Sequence, residues 1–267
     1  MKTRKEKDAL GTVEVPAESY GGSFYVRAKK NFQISGLRVS PSLACAFGFI
    51  KIAAAKVNAE LGLLDKRKSA AIQKAGGEFL EGKFQEFYEL DIYQAGAGTP
   101  WNMTLNEILA NRANEILGGR KGEYKEVHPN DHVNRSQSSN DVMPTAMRLA
   151  VLIELEKLLD AEERLYSSLF KKGDQFKKVL KVGRTHLQDA VPVTLGQEFE
   201  AYGSALMGAQ MRIHSAEFEL QVLGIGGTAI GSGINSHPKF AGKMVKELAK
   251  LSGLENLSEA DNKFETT

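Results

Sequence analysis

The sequence has almost no cysteine. Cys45 is the only one among 267 residues, and it lies in an apolar stretch. A single cysteine excludes an intrachain disulfide and every zinc or iron–sulfur site that is built from several thiolates. We therefore interpret Cys45 as a small buried hydrophobic residue.

An excess of charge of one sign and long apolar runs are also lacking. The 35 lysines and arginines face 33 aspartates and glutamates, and the net charge of +2 gives no electrostatic footprint for a nucleic acid or an anionic membrane. No uninterrupted apolar run approaches the roughly 18 residues of a membrane helix, and no apolar signal segment follows the charged N-terminus. The cytoplasm is the expected location. Ordinary composition, with 42% hydrophobic residues, predicts a globular fold with a large core.

Most of the sequence is predicted to be helical. Residues 1–40 are predicted to be loops with two short strands, at 13–16 and 23–26, and the polar stretch 120–141 is predicted to be a loop. Apolar periodicity, polar caps and flanking glycines predict helices at about 41–61, 65–75, 105–117, 144–172, 195–220 and 238–251. The first of these begins after Ser40 or Ser42, and the second is expected to end before Gly76.

Two of these helices carry long apolar stripes. Between Leu195 and Leu220 the apolar residues alternate steps of four and three, a pattern that is typical of helices packed against other helices. Helix 144–172 carries a similar stripe. The chain offers too few partners for both stripes. We therefore expect that the sequence is truncated, that other subunits supply the missing faces, or both.

The glycine-rich segment 224–233 is not interpreted as a nucleotide loop. Such a loop follows a strand and opens a helix, whereas a long helix precedes these glycines, and no Gly-Lys-Ser/Thr follows them. The pattern instead predicts a tight turn between helices and close approach of the backbone to a neighbour or an anion.

Hydrolase and metal chemistry are not indicated either. The sequence has no Gly-x-Ser-x-Gly elbow and no His-Glu-x-x-His pattern. His128 and His132 are four residues apart but flank Pro129, where a helix is not expected. We expect no metal and no cofactor.

What remains is a set of polar segments rich in hydroxyl and amide groups. Taken singly, each of them is explained as a helix cap or a turn. Together with histidine, however, their donors suit a dianionic substrate. The segments are 95–99 with Asn102, 128–131, 136–141 and 184–188.

These segments carry a resemblance to a known family. Gly183–Ala190 (Gly-Arg-Thr-His-Leu-Gln-Asp-Ala), Gln137–Asp141 (Gln-Ser-Ser-Asn-Asp) and His128–Asn134 are similar to motifs of the aspartase/fumarase superfamily, and specifically of its class II fumarase and aspartase branch. The similarity runs from Val13 to Glu265 and covers nearly the whole chain.

The resemblance implies an all-α, L-aspartase/fumarase-like fold. Residues 1–137 correspond to the N-terminal helical domain, and residues 138–267 to the start of a central domain of long helices, whose remainder and C-terminal domain are absent. The family forms a homotetramer with a twenty-helix core, and loops of three subunits make each active site. Partners other than a small dicarboxylate are not implied.

The resemblance also assigns roles to residues. Because an aci-carboxylate forms when a proton is removed next to a carboxylate, the site needs preorganised donors. His186 is expected to orient the substrate and to take part in proton transfer to the departing group. The expected substrate-binding residues are Thr99, Asn102, Ser138, Ser139, Asn140 and Thr185. His128, Asn130 and Asp131 correspond to a second dicarboxylate site.

The sequence departs from the family's pattern in one respect that concerns catalytic activity. The family's catalytic base is a serine on a mobile loop with the pattern Gly-Ser-Ser-x-Met-Pro-x-Lys-x-Asn, and the 267 residues end before it. The chain alone is therefore predicted to be inactive.

The branch is predicted to be fumarase, which interconverts fumarate and L-malate, with aspartate ammonia-lyase as the alternative. Ser138, Ser139 and His128 resemble fumarases, whereas Ala97 and the segment Lys121–Tyr124 resemble aspartases. A non-catalytic scaffold on the same helices is a further alternative, and cleavage of a larger succinyl substrate is another.

Overall fold

The structure is a computed structural model that describes residues 2–266. The chain divides into two compact units. The first comprises Met1–Val151 and Gln221–Thr267, and the second comprises Leu152–Leu220. Helices dominate both units, so the predicted all-α class is confirmed, and strands occur only as three two-stranded sheets in the described part.

The first unit begins with an antiparallel hairpin. Strand β1 (Thr3–Asp8) pairs with β2 (Gly11–Pro16), which contains the strand predicted at 13–16. The strand predicted at 23–26 is wrong, because helix α1 (Ser23–Asn31) starts there. The N–H groups of Phe24 and Tyr25 donate to the carboxylate of Glu107 at 2.8 and 3.0 Å. These N–H groups of the first helical turn are satisfied by a partner remote in sequence, which local pattern does not reveal.

The next helices form the core of this unit. Helix α2 (Pro41–Glu60) starts as predicted, with Ser40 Oγ accepting a hydrogen bond from Leu43 N at 3.2 Å. Helix α3 (Lys66–Leu80) runs past the predicted end at 75. Gly76 packs so closely on Ile52 that an added Cβ would lie 2.5 Å from Ile52 Cγ1, so this glycine serves helix packing and not termination. Helix α4 (Thr99–Ile116) starts before the predicted residue 105, with Pro100 in its first turn.

Aromatic side chains fill the space among these helices. Phe87 makes edge-to-face contacts with Phe79 and with Phe47, with ring centroids 5.2 and 5.6 Å apart. Helix α2 is long and apolar enough to cross a membrane by length and composition, but 67% of its apolar window is buried inside the protein. Burial on this scale is what the core helix of a globular protein shows.

The segment predicted to be a loop at 120–141 contains a short helical turn. Residues Pro129–Val133 form one π-helical turn, so the expectation that no helix forms between the two histidines is wrong. Proline is tolerated at the first position of a turn, where its missing N–H costs nothing. The His128 ring caps this turn, because its Nδ1 accepts the N–H groups of Asn130 and Asp131.

The remaining elements complete the two units. Helix α5 (Ser139–Gln175) begins before the predicted residue 144 and includes Pro144 near its start. Strand β5 (Val222–Leu223) pairs in parallel with β6 (Ser258–Glu259), helix α7 (Phe240–Ser252) lies close to the predicted 238–251, and α8 (Lys263–Thr266) follows.

The second unit consists of the later part of α5, a hairpin and a long helix. Strands β3 (Leu180–Thr185) and β4 (Gln188–Thr194) were not predicted, whereas α6 (Leu195–Leu220) has the predicted bounds. Glycines allow α5 and α6 to approach, since a Cβ on Gly196 would lie 2.5 Å from Gly173 O. The predicted stripes are partly exposed: Leu158, Leu165 and Tyr202 are more than half exposed, whereas Phe199, Leu206 and Ile213 are half-buried. Met211 and Phe218, which are also more than half exposed, lie outside the predicted stripe of α6.

Candidate active site

A buried carboxylate holds the polar first turn of α5 in place. Asp141 is fully buried, and its Oδ1 accepts the N–H of Ser138 at 2.8 Å. Ser138 Oγ accepts in turn from the N–H of Asn140 at 3.3 Å. These bonds satisfy N–H groups of the first helical turn, so Ser138, Ser139 and Asn140 occupy fixed positions at a helix N-terminus, where anions are favoured.

The glycine-rich segment packs against this turn. Asp141 Oδ2 accepts the N–H groups of Gly226 and Thr228 at 3.0 and 2.9 Å, and Asn140 Nδ2 donates to Ala229 O at 2.7 Å. The segment lies between α6 and α7, as predicted, and the anion that its backbone approaches is the Asp141 side chain. Thr228 has a left-handed φ of 58°. This strained conformation is held by the hydrogen bond to Asp141.

Asn102 joins the start of α5 to α4. Its Nδ2 donates to Ser139 Oγ at 3.0 Å and to Asn134 Oδ1 at 3.3 Å, and the side chain is fully buried. The structure therefore brings Asn102 and Ser139 into contact. Thr99 is the first residue of α4, after Gly98 in the left-handed conformation, and it is half-buried.

Lys51 is a residue of this region that sequence reasoning missed. It projects from α2 and is fully buried, with Nζ 3.1 Å from Asn134 Oδ1 and 2.9 Å from Gln137 Oε1. Burial lowers the pKa of Lys51 to about 7, although the charge of Asp141 opposes the shift. Burial likewise raises the pKa of Asp141 to about 6, against its backbone hydrogen bonds and the charge of Lys51. A lysine within an otherwise apolar helical segment was the available signal.

Two open cavities lie at this turn. One has a volume of about 270 Å³ and is lined by Ser136, Gln137, Ser138, Thr228, Ala229, Ile234 and Asn235. The other, of about 440 Å³, shares Ser136, Gln137 and Asn235 with it and is also lined by Asn130, Asp131, Asn134 and Arg135. The first cavity has the volume and the neutral donors needed for a small dicarboxylate.

The residues predicted for a second dicarboxylate site lie on the π-helical turn. Asp131 Oδ2 is 3.3 Å from His128 Nδ1, and both side chains are largely exposed. Asn130 and Asp131 line the larger cavity. Their role as a second dicarboxylate site stays a prediction.

Thr185 and His186 lie in the second unit, at the tip of the β3–β4 hairpin. The segment 184–188, predicted to be a loop, is a strand end, a two-residue turn and a strand start, with Thr185 paired to Gln188. His186 and Leu187 form the turn, with left-handed φ angles of 49° and 60°. This is the combination that two-residue hairpins with right-handed strand twist require. His186 is exposed at the tip.

Comparison with known proteins matches these features to a family. The model of a lyase family matches residues 11–267. The chain belongs to this family. Its membership of the aspartase/fumarase superfamily, predicted from the motifs, is thereby confirmed.

Individual members of this family are similar over nearly the whole chain. A class II fumarate hydratase of Nitrosomonas europaea is 48% identical over 98% of this chain and 57% of its own length. An aspartate ammonia-lyase of a Bacillus species is 45% identical over 94% of this chain and 53% of its own. The crystal structure of a class II fumarase from Schistosoma mansoni matches with a TM-score of 0.93 at 36% identity, over 99% of this chain and 59% of that one. The chain thus spans little more than half the length of these relatives.

Proposed function

We propose that the protein is a fumarate-forming C4-dicarboxylate lyase, and specifically a class II fumarate hydratase that interconverts fumarate and L-malate. The observation that carries this proposal is the start of α5. There Ser138 borders a cavity of about 270 Å³, and the turn is fixed by the buried Asp141 carboxylate. The 48% identity with the fumarate hydratase of Nitrosomonas europaea supports the same function.

The chemistry gives each polar group a role. Ser138, Ser139 and Asn140 supply neutral donors that bind the substrate carboxylates, and Thr99, Asn102 and Thr185 complete the binding residues. Donors that are already held in place stabilise the charge of the aci-carboxylate without reorganisation. His186 orients the substrate and moves a proton to or from the departing water, a task for which imidazole suits neutral pH. His128, Asn130 and Asp131 form a second dicarboxylate site.

The protein acts as a homotetramer with active sites shared between subunits. The exposed apolar side chains of α5 and α6 support this, because contiguous apolar stripes of this kind are normally covered by a partner. The proposed boundary between the N-terminal and the central domain lies between residues 137 and 138, just before α5, whereas the two compact units of this chain divide within α5, after Val151. The protein works in the cytoplasm and binds neither nucleic acid nor membrane.

The 267 residues alone do not turn over fumarate. They contain no Gly-Ser-Ser-x-Met-Pro-x-Lys-x-Asn segment, which in the resembling family supplies the proton-abstracting serine. Fumarate turnover by the purified chain would contradict this part of the proposal.

Aspartate ammonia-lyase activity is the second candidate. The Bacillus relative and Ala97, which stands where a hydroxyl is usual in the resembling fumarases, favour it. Without that hydroxyl the site has one fewer partner for water or for the malate hydroxyl.

The test is an assay of fumarate formation from L-malate and from L-aspartate, side by side. The chain is measured alone and after co-expression with the part of the Nitrosomonas europaea enzyme that lies beyond the matched region. We expect turnover of L-malate by the co-expressed pair and its loss in Ser139→Ala and His186→Asn. Ser258→Ala and His237→Asn, which change residues outside both cavities and outside helices α5 and α6, are the matched controls. Turnover of L-aspartate alone would establish the second candidate, and turnover of neither would exclude both.

A further inference from the structure

The buried Lys51 has an arrangement that packing alone does not require. It is among the largest fully buried side chains of the protein, in a helix whose other buried residues are mostly apolar. Burying an ammonium group is strongly unfavourable unless acceptors surround it. Both of its hydrogen-bond acceptors, Asn134 and Gln137, lie in the four residues directly before Ser138.

The lysine fixes which way both amide groups point. An ammonium group has donors only, so Asn134 and Gln137 must present their oxygens to it. Their nitrogens then point to the backbone, where Gln137 Nε2 donates to Val133 O and to Arg135 O, each at 3.0 Å. The conformation of residues 133–137 is thereby tied to the amino group of Lys51.

A second set of hydrogen bonds leads from there to the substrate-binding hydroxyl. The Asn134 oxygen that accepts from Lys51 also accepts from Asn102 Nδ2 at 3.3 Å. The same Nδ2 donates to Ser139 Oγ at 3.0 Å, which leaves the hydroxyl hydrogen of Ser139 free to donate elsewhere. Asn102 Oδ1 is buried and has no hydrogen-bond partner among the described residues, so only the donors of this amide are used.

We propose that Lys51 is a positioning residue of the dicarboxylate site. Its ammonium holds the segment before Ser138 in place, and through Asn134 and Asn102 it orients the Ser139 hydroxyl as a donor to the substrate carboxylate. The proposal rests on the proposed function of the site. Lys51 itself touches neither Ser138 nor Ser139 through any hydrogen bond of the described structure, and it acts through the two asparagines.

The test uses succinate, a saturated C4 dicarboxylate that a fumarate-forming lyase does not convert. Binding to the 267-residue chain is measured by isothermal titration calorimetry, and the backbone amide resonances of Ser138, Ser139 and Asn140 are followed by NMR. We expect Lys51→Met to bind succinate about tenfold more weakly, since it removes charge-assisted hydrogen bonds that fix the site. We expect Lys51→Arg, which keeps the charge, to recover part of this loss.

Lys56→Met is the matched control. Lys56 lies on the same helix and pairs with Glu247 at 2.7 Å, away from residues 133–140. It should change the melting temperature without changing succinate affinity. If Lys51→Met keeps wild-type affinity and the three resonances do not move, the proposal is wrong.

Two further outcomes of these measurements also decide the proposal. If Lys51→Met does not fold, Gln137→Met, which keeps the ammonium and removes one acceptor, must weaken succinate binding about threefold or more. Unchanged binding in that variant contradicts the proposal. If the unmodified chain binds no succinate, the titration is repeated on the co-expressed pair described above, and absence of binding there contradicts the proposed function of the site. The resonances of residues 138–140 in Lys51→Met then decide the positioning role alone.

Discussion

Asp141 and Thr228 are joined by a hydrogen bond that spans 87 residues of sequence, with 2.9 Å between Thr228 N and Asp141 Oδ2. The same carboxylate binds Gly226 N and Ser138 N. One buried side chain therefore holds both the first turn of α5 and the glycine-rich segment that lines the cavity beside it. This arrangement makes the site sensitive to changes that do not touch substrate.

Asp141→Asn should destabilise the protein. An amide offers one oxygen where the carboxylate offers two, so at least one of the three backbone N–H groups loses its acceptor. The expected cost is about 1–3 kcal/mol in the free energy of unfolding, measured by urea denaturation. Asp174→Asn, at an exposed pair with Lys177, should change it by less than about 1 kcal/mol. Equal effects of the two substitutions would contradict the role assigned to Asp141.

Glu107 should make stability depend on pH. Burial raises its pKa to about 7 from 4.5, although the N–H groups of Tyr25, Phe24 and Gly22 oppose the shift. The folded protein therefore binds more protons than the unfolded chain between these values, and the free energy of unfolding falls as pH rises from about 4.5 to about 7. The contribution is about 3 kcal/mol across that window.

Urea denaturation at several pH values checks this expectation. Glu107→Gln cannot titrate, so its stability should fall less over the same range than that of the unmodified protein. Glu123→Gln, at an exposed position of the same unit, is the control and should leave the slope as it is. If the stability of Glu107→Gln depends on pH as steeply as that of the unmodified protein, another group causes the pH dependence.

Gly98→Ala should disturb the start of α4, which carries Thr99 and Asn102. Gly98 has a φ of 64°, and an added Cβ would lie 2.5 Å from Met143 Sδ. The left-handed backbone alone costs an alanine about 1–2 kcal/mol, and the contact adds to this. Gly96→Ala, where no atom lies within 4 Å of the added Cβ, is the control. Adding Met143→Ala should recover only the part of the loss that is due to the contact, and full recovery would exclude backbone strain.

The turn at Leu187 should respond to backbone conformation more than to side-chain size. Leu187 is 93% exposed, so its side chain contributes little burial, and its φ is 60°. Leu187→Gly should stabilise the β3–β4 hairpin relative to Leu187→Val by about 1–2 kcal/mol, because a β-branched residue fits the left-handed region poorly. Hydrogen exchange of the paired amides of Thr185 and Gln188 measures the difference. Faster exchange in Leu187→Gly than in Leu187→Val would contradict this expectation.

The sequence by itself determined the helical class, the family and the bounds of α6. These follow from patterns within one segment: alternating steps of four and three from Leu195 to Leu220, and the cap at Ser40 that starts α2. The polar segments that carry the resemblance were likewise visible as clusters. Local periodicity and local caps are sufficient for such features because their partners lie a few residues away.

Only the tertiary structure decided what depends on partners remote in sequence. Residues 23–26 have the pattern of a strand, but N–H groups of this segment donate to the carboxylate of Glu107 at the start of a helix. Helix α3 continues past Gly76, where the glycine allows close packing against Ile52. The β3–β4 hairpin went unpredicted because its turn residues, His186 and Leu187, are not those usually found at left-handed positions. The apolar surroundings of Lys51 in α2 were visible in the sequence, but its partners Asn134 and Gln137 lie more than 80 residues away and are identified only in the tertiary structure.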